Sequence, residues 1–209
     1  MILLFLGLPG CGKGTIARYL VKRFGIVQIS SGDILRASIQ LGLPLGNEAK
    51  EYVDMGMLVP DDIINSVIKE RISQDDCRNG FILDGYPRTI GQAQALSKMN
   101  VNLDHVIHLS VSKDRIVDRL SGRRICSQCG DIYNISSKKP KEDGVCDLCG
   151  GTLYQRADDK PSAIRQRLDI HAKETLPLIN FYRKEGLLKE ADGNAPSDEV
   201  FERVFKVIK

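Results

Sequence analysis

Residues 7 to 15 of the chain read GLPGCGKGT, directly after the apolar run Ile2–Leu6. Glycine inside a helix or strand costs about 0.5–1 kcal/mol relative to alanine. Gly7, Gly10, Gly12 and Gly14 therefore mark a stretch whose value lies in bare backbone. A predicted strand precedes it and a predicted helix begins at Lys13, which is the setting a phosphate-binding loop requires. Successive backbone N–H groups can converge there on an anion, and larger side chains would fill the cradle. The following helix adds unpaired N–H groups and the positive end of its dipole. Lys13 then extends to the outer phosphates. The usual pattern places Ser or Thr directly after the lysine as a Mg²⁺ ligand; here Gly14 holds that place and Thr15 follows. Cys11 is expected to be a small filler of the loop, because the sequence presents no catalytic base for it.

The rest of the chain alternates short apolar runs with longer segments of helical period. Strands are expected over Met1–Leu6, Val27–Ser30, Phe81–Asp84, His105–Leu109 and Leu187–Ala191. Helices are expected over Lys13–Phe24, Gly32–Leu41, Gly46–Met55, Asp61–Gln74, Ile90–Met99, Lys113–Leu120, Pro161–Glu185 and Ser197–Ile208. In Asp61–Gln74 the residues Ile63, Ile64, Val67, Ile68 and Ile72 share one face. Such alternation predicts an α/β fold, a five-stranded parallel sheet flanked by helices. At 209 residues the chain suffices for one buried core with a small appended lobe. A net charge of +3 gives no argument for a nucleic-acid or membrane surface. The first residues lack the basic and long apolar regions of a secretory signal, and no run reaches membrane-spanning length. A cytoplasmic protein with reduced cysteines is the expectation.

Three further stretches accompany the glycine loop: SSGDILR at Ser30–Arg36, DGYPRT at Asp84–Thr89 and LSGRR at Leu120–Arg124. Together, in this order and over essentially the whole length, they resemble the adenylate kinases of the nucleoside monophosphate kinase family, of the type with a long zinc-containing lid. Glycine after the loop lysine is typical of that family. The resemblance implies reversible phosphoryl transfer from Mg-ATP to AMP, giving two ADP, by a monomer. It implies a core of residues 1–29, 60–123 and 160–209, a monophosphate-binding arm of residues 30–59, and a lid of residues 124–159.

By the same resemblance, ATP is met by Gly10, Cys11, Gly12, Lys13, Gly14, Thr15, Arg119, Arg123, Ile132, Tyr133 and Ala195, the last through its backbone. AMP is met by Ser31, Arg36, Met57, Val59, Gly85, Arg88, Gln92, Arg156 and Arg167. Lys13, Arg88, Arg123, Arg156 and Arg167 surround the transferred group. Guanidinium groups suit this work because they bind phosphate oxygens in pairs and stay charged. Asp84, ending a strand, is expected to hold Mg²⁺ through ordered water, with Asp33 a second candidate. Asp158 and Asp159 are candidates to orient the arginines. Ser31 stands where adenylate kinases often have threonine, which weakens the choice of AMP over UMP or CMP. A UMP/CMP kinase or a GTP-using relative stays open, as does an ATP-switched binding protein without a second phosphate pocket.

From Arg124 to Asp159 the chain has few apolar residues and four of its six cysteines. Cys126-x-x-Cys129 and Cys146-x-x-Cys149 stand sixteen residues apart, with Gly130 and Gly150 just beyond. Paired hooks of this kind point to a structural metal site, zinc or iron, closed by four thiolates. A polar segment of about 35 residues is below the ~40 at which a core alone usually suffices. Cys77, His105, His108 and His171 make no ligand pattern and are expected to be structural.

Overall fold

The computed structural model describes residues 1–209. In chain order, β1 (Ile2–Leu6) leads through the glycine loop to α1 (Lys13–Phe24), and β2 (Val27–Ser30) to the helix pair α2 (Ser31–Gln40) and α3 (Pro44–Met55). Then come α4 (Asp61–Ile72), β3 (Phe81–Asp84), α5 (Ile90–Lys98), β4 (His105–Ser110) and α6 (Lys113–Ser121). A small sheet of β5 (Arg123–Cys126), β6 (Ile132–Asn134) and β7 (Leu153–Tyr154) follows. The chain closes with α7 (Pro161–Ile170), α8 (Pro177–Lys184), β8 (Leu188–Asp192) and α9 (Ser197–Val207).

The main sheet is wholly parallel, in the order β2-β3-β1-β4-β8. Its central strands β1 and β3 are apolar on both faces, as a doubly covered sheet demands, while the edge strand β8 is mostly polar, with Ala191 its buried residue. Leu3 and Phe5 of β1 pack with Ile16, Leu20, Ile107, Val200 and Val204 on one side. Leu4 and Leu6 pack with Ile29, Ile64, Ile68, Leu83, Leu96 and Leu178 on the other. The small sheet is antiparallel, in the order β6-β5-β7.

Helices α2 and α3 approach backbone to backbone. A Cβ built on Gly46 would lie 2.2 Å from the Ser38 carbonyl oxygen, so only glycine fits there. One expected element is corrected. Pro161–Glu185 is not a single helix but α7, a π turn at His171–Thr175, and α8. Pro177 explains the break: it has no N–H to give, and its ring crowds the carbonyl four residues back. A widened turn absorbs both effects. Pro44 similarly begins α3 two residues earlier than expected, at a first-turn position where proline costs nothing.

Candidate active site

A cleft of about 1280 Å³ opens at the carboxyl ends of β1 and β3, between the main sheet, the α2–α3 pair and the small sheet. This is where ligands of open parallel sheets bind. Along its floor, the backbone N–H groups of Gly10, Gly12, Lys13 and Gly14 have no acceptor within the chain. Gly10 and Gly12 adopt φ of +80° and +106°, a region that favours glycine. Lys13 Nζ donates to the carbonyls of Gly7 and Leu8, both at 2.9 Å, and lies 3.7 Å from Cys11 Sγ. Cys11 is buried in the core beneath the loop. Arg119 reaches over from α6, donating to the Cys11 carbonyl at 3.3 Å.

Asp84 stands at the end of β3 beside this loop, and its Oδ2 accepts from Gln28 Nε2 at 3.0 Å. Burial pushes its carboxyl pKa up, against the pull of Lys13. Ser31 Oγ donates to the Gly85 carbonyl at 2.7 Å. The same carbonyl accepts from Arg88 Nε at 2.8 Å. No carboxylate pairs with Arg88. Burial and the neighbouring Arg167 pull its pKa down to about 10, which leaves it charged at neutral pH.

The other arginines form a network with three aspartates. Arg123 binds Asp159 with two parallel bonds, Nε to Oδ2 at 2.7 Å and Nη2 to Oδ1 at 2.6 Å. Arg167 bridges Asp158 and Asp159 at 3.0 and 3.3 Å. Arg36 and Arg156 both reach Asp33 Oδ1, at 2.6 and 3.2 Å. Arg156 Nε is buried with no partner, and burial together with Arg36 brings its pKa down to about 10. For Asp33 and Asp158 the arginines outweigh burial and hold the carboxyl groups below their usual range. These carboxylates let mutually repelling guanidinium groups crowd into one place, and the cations still outnumber them. Asp33 thus engages both arginines through Oδ1 alone, and its Oδ2 has no partner within the chain.

Across the cleft, Ile132 and Tyr133 face the loop from β6, and Ala195 closes the far side. Tyr133 turns its hydroxyl away into the cysteine cluster, 3.6 Å from Cys146 Sγ, and accepts from the Asp147 N–H. The sulfur atoms of Cys126, Cys129, Cys146 and Cys149 all lie within 4.8 Å of one another. Gly130 and Gly150 donate back to the carbonyls of Cys126 and Cys146, closing a tight turn after each hook. Four sulfurs so placed suit a tetrahedral ion with metal–sulfur bonds of about 2.3 Å.

Comparison with known proteins bears on the same residues. The family model described as adenylate kinase matches residues 5–187. The chain is 49% identical to the adenylate kinase of Thermodesulfovibrio yellowstonii, over 100% of this chain and 99% of that one. It is 50% identical to that of Carboxydothermus hydrogenoformans, over 100% of both chains, and 49% identical to that of Methanosarcina barkeri, over 100% and 99%. The chain belongs to the adenylate kinase family.

In this family member the cleft gathers every residue expected at a nucleotide: the loop, Ser31, Arg36, Met57, Val59, Asp84, Gly85, Arg88, Gln92, Arg119, Arg123, Arg156 and Arg167 line it with Ile132, Tyr133 and Ala195. Cys126 and Cys129 also border it, while Cys146 and Cys149 do not. Sequence reasoning missed four contributors. Gln28 ties Asp84 in place. Thr175 donates to the Arg88 carbonyl at 3.0 Å. His171, expected to be purely structural, lines the cleft with both ring nitrogens buried and unpartnered. Burial, then Lys13, His108 and Arg88, bring its pKa down to about 4. Asp61 holds Gln92. For Thr175 and His171 the only hint is Pro177, which forces the turn that carries them.

Proposed function

We propose that the protein catalyses reversible transfer of the γ-phosphoryl group of Mg-ATP to AMP, giving two ADP. One observation carries this reading. A loop of free backbone donors and a cluster of arginines from separate segments line the same cleft. Such a transfer asks for alignment and for positive charge around the moving group. The loop amides and Lys13 hold the donor phosphates, and Arg119, Ile132, Tyr133 and Ala195 border the rest of ATP. Arg36 and Arg88 hold the acceptor phosphate, with Ser31, Met57, Val59, Gly85 and Gln92 around its base. Arg123, Arg156 and Arg167 lie between the two, and their buried, preset forks need little reorganisation to stabilise developing charge. Asp84 orients the water shell of the Mg²⁺ that arrives with ATP; its Oδ1 has no partner within the chain.

The four cysteines bind one structural zinc, since a full thiolate shell leaves no place for a reacting water. Residues 124–159 then act as a lid and residues 30–59 as the monophosphate arm. The enzyme works as a monomer in the cytoplasm, where thiolates stay reduced.

The test is to offer ATP or GTP with each nucleoside monophosphate and measure diphosphate. ATP with AMP is expected to be the best pair, forming two ADP per ATP consumed. Lys13→Met is expected to lower turnover by at least about 10²–10³-fold, the cost of losing a transition-state cation, with an unchanged circular dichroism spectrum. Fast ATP hydrolysis without a monophosphate, or near-normal turnover in that variant, would overturn the reading.

A further inference from the structure

Gln92 is almost fully buried, 2% exposed, yet its side chain borders the cleft. Both ends of its amide are already engaged. Nε2 donates to Asp61 Oδ1 at 2.6 Å. Oε1 accepts from the backbone N–H of Arg88 at 2.7 Å. A carboxylate only accepts and a backbone N–H only donates, so these partners allow one orientation of the amide and penalise its flip. Asp61 is itself fixed. Its Oδ2 accepts from Thr89 Oγ1 at 3.0 Å, and Thr89 Oγ1 in turn caps α5 by accepting from Gln92 N–H at 3.1 Å. Gly91 leaves room for this approach: a Cβ there would stand 3.0 Å from Asp61 Oδ2.

A primary amide has two donors and two acceptor sites. With one of each committed, Gln92 keeps one N–H and one lone pair, in a fixed order along its remaining edge. Adenine presents a ring-nitrogen acceptor beside an amino donor. Hypoxanthine, of nearly the same shape, presents a ring N–H donor beside a carbonyl acceptor. Cytosine shares the adenine order and uracil the reverse.

We infer that Asp61 is a positioning residue for base selection: it locks the Gln92 amide in the orientation that accepts a base with the adenine order and rejects one with the reversed order. The inference rests on the AMP reading above, and deepens it. Asp61 touches no nucleotide and acts through Gln92 alone.

The experiment compares kcat/KM for AMP and for IMP in the unaltered protein, Asp61→Asn and Thr89→Val. A site built for one edge rejects the inverted one, so the unaltered protein is expected to prefer AMP by at least about 10²-fold. The amide introduced by Asp61→Asn can present either an oxygen or an NH₂ group, which removes half of the lock. That variant is therefore expected to shrink the AMP-to-IMP ratio about tenfold or more, the worth of one discriminating contact. Thr89→Val loses the α5 cap and one of the two bonds on Asp61, so it melts earlier, but its ratio is expected to shrink clearly less than in Asp61→Asn, because the Asp61–Gln92 bond remains. A ratio in Asp61→Asn within about twofold of the unaltered value overturns the lock; so does a shift in Thr89→Val as large as that in Asp61→Asn. If Asp61→Asn does not fold, the unaltered protein decides with CMP and UMP as weak acceptors. CMP is expected to exceed UMP by about tenfold, and UMP equal to CMP overturns the lock. Absence of transfer to AMP by the unaltered protein would instead sink the kinase reading beneath it.

Discussion

The main sheet and the small sheet are held together by different physics. On the main sheet, 18 buried residues pack on one face and 17 on the other. On the small sheet the buried cluster is Cys126, Tyr133, Cys146 and Leu153, and two of its four members are metal-ligand candidates. Hydrophobic burial of about 25 cal/mol per Å² can sustain the first and not the second. One chain therefore contains a body with an apolar core on each sheet face and a lobe whose few buried side chains surround four grouped sulfur atoms. The two meet through ion pairs, Arg18 of α1 to Asp131 at 3.6 Å among them, and through hydrogen bonds such as Asn134 Nδ2 to the Arg119 carbonyl at 3.2 Å, rather than through a shared apolar core. The lobe is thus expected to be able to lose its structure without dragging the body with it.

The sharpest way to break that contrast is to disable the four-cysteine site. Zinc supplies about 10–16 kcal/mol in small finger peptides. Cys146→Ser, or chelation, is expected to release hydrogen exchange throughout residues 124–159 while amides of the main sheet stay protected. Equal loss of protection in both regions would refute the division. A weaker blow aimed the other way is Ile68→Ala. Ile68 is fully buried on α4, and its truncation is expected to cost about 2–5 kcal/mol. The body should melt several degrees lower, with the metal content of the lobe unchanged; metal loss would show that the regions are coupled after all.

The smallest effect concerns His171, in the body. Its folded pKa of about 4 lies below the ordinary 6.5. Between these values the unfolded chain binds a proton that the folded chain does not, so stability falls as the pH drops from 6.5 towards 4. The loss is no more than about 3 kcal/mol. Denaturant titrations should show it in the unaltered protein and show it reduced in His171→Phe, with lobe protection following neither curve.

The body is the more legible region. The expected strands of the main sheet all lie within a residue or two of those observed; for the central strands the reason is that a doubly buried strand has no polar face to confuse the period. The glycine loop and the cysteine hooks announce themselves by spacing, since their chemistry depends on neighbours in the chain. Residues that act across the fold leave no such mark. Gln28 is an ordinary strand residue until β2 lies beside β3 and turns it towards Asp84. Asp61 reads as a first-turn acid of α4, a common placement that the dipole explains; only the packing of α4 against α5 shows that it grips Gln92. His171 and Thr175 reach the cleft because the turn before Pro177 is π rather than α, a distinction that periodicity does not carry. Local signals reveal what each segment can do, and the long-range pairs have to come from geometry.

Arg123 and Asp159 join at the neck of the lobe, 36 residues apart in sequence and bound by two short parallel bonds. The segment between them leaves the body and returns to it at a single point. A differently built insert joined at the same two stem residues would leave the Arg123 fork where it stands, but would have to supply its own counterparts of Ile132, Tyr133 and Arg156, which line the cleft. The stem pair thereby belongs to the body, and the stretch around the four cysteines beyond it is where the chain best admits change.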